Sequence, residues 1–289
     1  MRSTLDTVTR QTTEPACWVI VDDGSTDDTA VIAREYAERF DYIRIITRAD
    51  RGARAVGPGV IDAFYEGLES VDLDDYDYVC KLDADLELPL RYFERLMEEF
   101  EREPLLGNLS GKLFERRPDG TLFEERTGDE NAVGPTKFYR TACFKDIGGF
   151  VREVMWDGID GHICRMKGWF ARSMHDPELQ VIHLRPMGSS QKNIYVGRVR
   201  WGRGKYFMGS SWYYALAVAA YRSLEPPWIA AGACIAYGYA RAVITRHSRY
   251  DDPDYLRWVR RYELESLLTG KRRTLERYER RIREASQAS

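Results

Sequence analysis

The chain has 289 residues and a formal net charge of −3, with 44% hydrophobic and 31% charged residues, the composition of a folded, water-facing protein with room for one large domain or two small ones. Five scattered cysteines without a Cys-x-x-Cys pair, and four histidines without zinc spacing, exclude a disulfide framework and a structural zinc site. The charge is uneven: residues 192–289 carry 19 Lys and Arg against 9 Asp and Glu, and residues 1–191 carry 24 against 37, so an acidic part precedes a basic tail suited to phosphates or an anionic membrane face.

In chain order, residues 3–11 read as a short helix and residues 17–22 as a strand that runs into Asp22-Asp23-Gly24-Ser25-Thr26-Asp27. A helix over 27–40 follows, with Asp27 or Asp28 placed as its cap. The β-branched stretch 42–47 predicts a strand, 60–70 a helix, and 76–82 a strand that ends in Asp83-Ala84-Asp85. Residues 89–100 read as a helix with proline near its first turn. This alternation predicts an α/β fold with a mostly parallel sheet covered by helices. Strands are expected at 108–114 and 121–125, joined by the turn Arg117-Pro118-Asp119-Gly120. Short helices are expected at 139–147, stopped by Gly148-Gly149, and at 157–168, then a strand at 179–184. From Gly197 the pattern is helical and arginine-rich. Residues 271–289 are polar, a solvated helix or a frayed end.

The two acidic clusters lie about sixty residues apart, each at the carboxyl end of an expected strand, where open α/β sheets bind ligands. Asp-x-Asp on an extended segment puts both carboxylates on one face. Hard oxygen donors so arranged suit Mg²⁺ or Mn²⁺, and Mg²⁺ also takes phosphate oxygens; the chemistry indicated is a metal-bound nucleoside diphosphate. The first twenty residues lack the apolar core of a signal peptide. The apolar region 212–244 is split at 222–227, and neither side reaches the roughly 20 residues of a spanning helix. Lys192, Arg198, Arg200, Arg203 and Lys205 precede this Tyr-, Trp- and Ala-rich region, an arrangement that suits anionic lipid headgroups; a water-facing helical subdomain or an oligomer interface is the alternative.

Four pieces in order, Val21-Asp22-Asp23-Gly24-Ser25-Thr26-Asp27, Asp83-Ala84-Asp85, Gly148-Gly149-Phe150, and an acidic helix start followed by His183, make the chain resemble the family 2 glycosyltransferases of GT-A fold over roughly residues 4–190. The resemblance implies a GT-A-like, Rossmann-like nucleotide-sugar-binding catalytic domain over 1–190, and leaves 191–289 as a basic helical region. It implies that Asp22 and Asp23 hold the nucleotide base and ribose, with Arg51 and Arg54 beside the pyrophosphate. Asp83 would lie near the ribose and metal, Asp85 would ligate the metal, and His183 would be a further ligand. Asp157 is the expected base and Asp160 its partner, although the family's usual Glu-Asp pair is not reproduced, and both also suit a helix start. Asp22 and Asp23 equally suit a turn, and His183 a packed strand end.

The implied reaction is an inverting, Mn²⁺- or Mg²⁺-dependent transfer of a hexose from a nucleotide-diphosphate sugar donor to a carbohydrate or lipid-linked acceptor. Polysaccharide or glycolipid assembly in the cytoplasm, at the cytoplasmic face of a membrane, fits this. No nucleic-acid recognition module is present. The chain departs from the family by entering directly at the first helix, without the usual apolar first strand with its proline and asparagine. That strand is expected to be missing, with an exposed neighbouring edge and weakened nucleotide binding. Two other functions remain open: a nucleotidyltransferase-like enzyme, which would need a glycine-rich basic phosphate loop, and a GT-A-fold scaffold without activity.

Overall fold

The computed structural model describes residues 1–49, 58–125, 127–185, 194–224 and 226–287. They form two compact units, Met1–Glu153 with Trp169–Met187, and Val154–Gly168 with Gly188–Ser289. Residues 154–168, expected in the catalytic domain, belong instead to the unit of the C-terminal helices.

In the first unit, β1 (Trp18–Asp22) and β2 (Ile43–Thr47) form a parallel ladder from Trp18 opposite Ile43 to Asp22 opposite Thr47. They are joined through α2 (Thr29–Ala37), whose Ala33 and Tyr36 pack with Ile20, Ile43 and Leu5 of α1 (Arg2–Val8) into a small core. On α3 (Pro58–Leu68), Gly67 leaves room for Val21, whose Cγ2 would stand 3.0 Å from a Cβ there.

The second sheet runs β3 (Tyr78–Leu82), β7 (Thr136–Arg140), β5 (Leu106–Arg116), β9 (Gln180–His183), β4 (Leu86–Glu87), with β6 (Leu122–Glu124) and β8 (Phe170–Met174) also paired to β5. The first eight residues of β5 are buried, as befits a strand with neighbours on both edges. The helix α4 (Tyr92–Arg102) buries Tyr92, Phe93, Leu96 and Phe100, one face at helical spacing. Rings of Phe93, Phe100 and Tyr78 lie 5.2–6.0 Å from that of Phe138 on β7.

The α/β class is as expected, but the larger sheet is mixed. Pairings β3–β7, β5–β7, β5–β6 and β4–β9 are antiparallel, and β5–β8 and β5–β9 are parallel. Two of the antiparallel pairings come from β7, inserted between β3 and β5, and the other two from the β5–β6 hairpin and the short β4. Tyr139 and Arg140, expected to open a helix, end β7, because ladder bonds on two edges outweigh a local helical pattern; the helix α5 covers only Thr141–Asp146. Among the described residues β1 pairs only with β2 and β3 only with β7. The edge of β4 is closed by α1: Leu86 N–H donates to Thr4 Oγ1 at 3.1 Å and Leu88 N–H to Thr7 Oγ1 at 3.2 Å.

The second unit holds α6 (Trp156–Met166), α7 (Ile194–Phe207), α8 (Trp212–Arg222), α9 (Ile229–Ile244), α10 (Pro253–Thr269) and α11 (Lys271–Gln287). Helices α7 and α9 touch backbone to backbone: a Cβ on Gly202 would stand 2.0 Å from Ile235 O, and one on Gly238 2.1 Å from Val199 O. Asp252 caps α10 by accepting from Asp254 and Tyr255 N–H, with Pro253 in the first turn. Glu263 reaches from α10 to the start of α8, where Oε2 accepts from both N–H and Oγ–H of Ser211 at 2.8 Å.

His162 of α6 packs against Tyr255, Trp258 and Tyr262, with ring centroids 5.3–6.4 Å apart. These contacts explain why residues 154–168 join the C-terminal helices. Desolvation there, and then the charges of Arg165, Lys205 and Lys271, hold its pKa well below the ordinary 6.5. The imidazole therefore stays neutral when folded and gains a proton on unfolding. Its stability contribution is complete above the unfolded value and is lost as the pH falls toward the depressed folded one. The urea midpoint is expected to drop between about pH 7.5 and about pH 5.5, and His162→Phe to remove part of that drop; an unaltered pH profile in the variant would contradict the assignment.

Candidate active site

The turn after β1 is built by its own acidic residues. Asp22 is buried, and its Oδ1 accepts from Ser25 N–H at 3.0 Å, while Arg48 N–H donates to its carbonyl at 2.8 Å. Gly24 turns the chain at φ 77°, in the left-handed region that glycine enters without penalty. Asp23 is exposed and meets Arg48 Nη1 at 2.9 Å; Arg48 Nε also reaches Glu66 at 2.6 Å. Of the two proposed caps for α2, Asp27 makes the bond, accepting from Thr29 N–H at 3.0 Å. The bonds to Thr29 lower its pKa, and the charge of Arg185 adds to this. The turn after β1 therefore feels the segment that follows His183.

At the end of β3, the buried Lys81 ammonium bonds Asp83 Oδ1 and donates to Gly134 O at 3.0 Å. The two side chains are two residues apart on one strand face. Asp83 N–H donates to Pro135 O at 2.8 Å. Asp85 is held by Leu184, whose N–H donates to its carbonyl at 2.9 Å, while Leu86 stands opposite His183 in the β4–β9 ladder. This brings Asp85 Oδ1 to 3.9 Å from His183 Nε2. The His183 side chain is 9% exposed, and its Nδ1 lies 2.7 Å from Glu125 Oε1. Burial alone would lower the His183 pKa. The hydrogen bond and charge of Glu125, with the charges of Asp85 and Asp83, outweigh it and raise the value. Three carboxylates thus act on one imidazole.

The structure brings Asp83, Asp85 and His183 together where β3 and β9 end and β4 begins, and sets Asp22 at the end of β1 and Asp23 in the turn after it. Arg51 and Arg54 lie outside the described residues. Asp157 and Asp160 belong to the other unit. There, Met155 takes φ 72° immediately before α6, a left-handed conformation uncommon for a residue with a side chain. Asp157 is half-buried in the first turn. Asp160 is 1% exposed, its Oδ1 accepts from Gly161 N–H at 2.6 Å, and its charge is felt by Tyr255 of α10. The i,i+3 spacing thus leaves Asp157 the more accessible of the two.

A divalent cation can be tested against this donor set. Among the described residues no three His, Cys, Asp or Glu side chains converge into a complete metal cluster. Asp83 is engaged by Lys81, which leaves Asp85 and His183 as the two protein donors. One carboxylate oxygen and one imidazole nitrogen suit Mn²⁺ or Mg²⁺ that takes its other ligands from water and phosphate, so the residues fit a cation that arrives with a diphosphate. Lys81, Arg48 and Glu125 escaped the sequence reading: each is one charged residue among many, and its partner becomes visible only when distant strands meet.

Residues 1–138 match the family described as glycosyl transferase family 2. The poly-beta-1,6-N-acetyl-D-glucosamine synthase of Staphylococcus epidermidis is 32% identical over 160 residues, 49% of this chain and 36% of that protein. Its counterpart in Staphylococcus aureus (strain COL) is 32% identical over 94 residues, 32% of this chain and 20% of that protein. The chain thus spans about a third or less of the length of these relatives. Among solved structures, the mannosyltransferase PcManGT from Pyrobaculum calidifontis, in complex with GDP-Man and Mn²⁺, aligns with a TM-score of 0.50 and 17% identity, covering 96% of this chain and 80% of that one. That likeness establishes the fold, a mixed sheet flanked by helices.

Proposed function

We propose that this chain, whose residues 1–138 match the glycosyl transferase family 2 model, is a glycosyltransferase that moves a hexose from a nucleoside diphosphate sugar to an acceptor hydroxyl in one inverting displacement. The observation that carries this reading is the pairing of Asp85 with His183 at 3.9 Å inside a field of three carboxylates. Donor class and metal are supported by the GDP-Man and Mn²⁺ named for the structural neighbour. Glycan assembly is supported by the synthase relatives.

Asp85 and His183 would hold the cation, which when bound neutralises the charge on the departing diphosphate. Asp22 and Asp23 receive the nucleoside at the turn after β1, and Arg51 and Arg54 are assigned to the diphosphate. Lys81 keeps Asp83 oriented toward the ribose. Asp157 would take the proton of the acceptor hydroxyl while the acceptor oxygen bonds the anomeric carbon and the bond from that carbon to the diphosphate breaks. Asp160, buried one turn further along α6, is assigned as its partner. A displacement of this kind needs one base, whereas a glycosidase would need two carboxylates across a glycosidic bond. Release of nucleoside diphosphate from a panel of nucleotide sugars tests the reading: one donor is expected to turn over with Mn²⁺ and to stop with chelator. No turnover of any donor, and no metal-dependent nucleotide binding, would favour a scaffold.

The acceptor is assigned to an anionic membrane face. On α8 and α9 the side chains of Trp212, Leu216, Tyr237 and Val243 are exposed, with Ile229 at 78% and Ile244 at 80%. Trp212, Leu216, Ala236, Ala240, Val243 and Ile244 line one apolar groove. Residues 194–250 hold eight Lys and Arg against one acidic residue, Glu225. Apolar and aromatic side chains within a basic surround match an interface with anionic headgroups, and no helix among the described residues is long and apolar enough to cross a membrane. The full chain is expected to float with phosphatidylglycerol vesicles, and an Ile229→Glu, Ile244→Glu variant to stay at the bottom of the gradient. Equal flotation of both would end the idea, and a dimer that the variant splits would make this face a contact between two copies.

A further inference from the structure

Glu125 is 5% exposed, and among the described residues its carboxylate has a single hydrogen-bond partner. Oε1 lies 2.7 Å from His183 Nδ1, and Oε2 has none. A buried carboxylate so sparsely bonded costs stability unless its one partner is positively charged or donates strongly. The position is set by backbone. Glu125 follows β6, and its N–H donates to Leu113 O at 2.8 Å, so the hairpin ladder continues with Glu125 opposite Leu113. On the other edge of β5, Leu113 stands opposite Val181, two residues before His183. Pairing and the two-residue period put Glu125 and His183 on one face of the sheet, reaching toward each other over β5.

An ionised carboxylate only accepts hydrogen bonds, so its contact with Nδ1 requires the proton there. In the neutral ring the lone pair then falls on Nε2, the atom that faces Asp85 across 3.9 Å. We propose that Glu125 is a positioning residue for His183: it holds the ring's orientation and its Nδ1–H tautomer, so that Nε2 presents its lone pair to a cation shared with Asp85. This rests on the cation reading given above. A histidine ligand whose other nitrogen is anchored by a carboxylate is oriented and made a better donor, and loss of such an anchor typically costs about 10–100-fold in metal affinity.

Two readouts test it. In metal-free ¹⁵N-labelled protein with the ring neutral, long-range ¹H–¹⁵N correlation is expected to show His183 protonated at Nδ1, and Glu125→Ala to shift it toward Nε2–H. Titration with Mn²⁺ alone, followed by the electron paramagnetic resonance of the free ion, is expected to give a Kd raised about 10–100-fold in Glu125→Ala. Glu125→Gln keeps an acceptor oxygen in place, so it should retain the tautomer and lose less affinity. It also carries the test if Glu125→Ala proves unfolded by circular dichroism. An Nε2–H tautomer in the wild type, or wild-type Mn²⁺ affinity in the folded variants, would overturn the role of Glu125 and leave the Asp85–His183 site standing. Wild-type protein that takes up no Mn²⁺ would overturn the site and this inference with it.

Discussion

Asp85→Ala is expected to lower sugar transfer by about 10²–10³-fold or more, the scale on which removing one group that stabilises transition-state charge is felt. Its neighbour cannot replace it. The Asp83 carboxylate is already bonded by Lys81, and the Leu184–Asp85 backbone bond places residue 85, not residue 83, beside His183. The substitution leaves that backbone bond and the β4–β9 ladder intact, so the fold should survive, with circular dichroism and melting as controls. Asp83→Ala should behave differently. It takes the carboxylate from a buried ammonium that keeps its bond to Gly134 O, and because Asp83 is itself a third exposed the loss is expected to be about 1–3 kcal/mol. Lost transfer with an unchanged melting point at residue 85, and a lowered melting point at residue 83, is the expected contrast. Full transfer by Asp85→Ala would remove the metal-site assignment.

Asp157→Asn is expected to lower kcat by about 10²–10⁴-fold, the usual worth of a general base, while the affinity for donor stays near wild type. The amide fills the same volume and keeps the first turn of α6, but it cannot accept a proton at neutral pH. Asp157 is half-buried where Asp160 is enclosed, and this accessibility is the reason it is proposed as the base of the two. Asp160→Asn should act mainly on stability, because its carboxylate is already engaged at Gly161 N–H. If Asp157→Asn turned over at the wild-type rate and Asp160→Asn did not, the two roles would be exchanged.

Much of the first unit was legible in the sequence because local signals there agree. β1 and β2 are runs of β-branched and apolar residues bounded by turn formers, Asp22 to Asp27 reads as a turn and cap, and α4 shows a clean helical stripe. The hairpin between β5 and β6 follows from Arg117-Pro118-Asp119-Gly120, with Gly120 N–H donating to Arg117 O at 2.9 Å. What was not legible depends on partners far along the chain. β7 is Thr-Lys-Phe-Tyr-Arg and β8 is Phe-Ala-Arg-Ser-Met; neither alternates cleanly, and both are strands because β5 lies beside them. Strand direction carries no local period, so alternation of elements suggested a mostly parallel sheet where β4, β6 and β7 make it mixed. The assignment of 154–168 to the second unit rests on rings at 255–262, about a hundred residues away. In the site, Asp83, Asp85 and His183 could be named from motif order, whereas Lys81 and Glu125 are ordinary charged residues until the strands bring them to Asp83 and His183.

Calorimetric titration of the full chain with GDP and with UDP, in Mn²⁺ and again in chelator, tests the central claim most directly. The account predicts that at least one of these nucleotides binds, that binding requires Mn²⁺, and that it disappears in Asp85→Ala and in His183→Ala. Binding of equal strength in chelator, or in both variants, would contradict it.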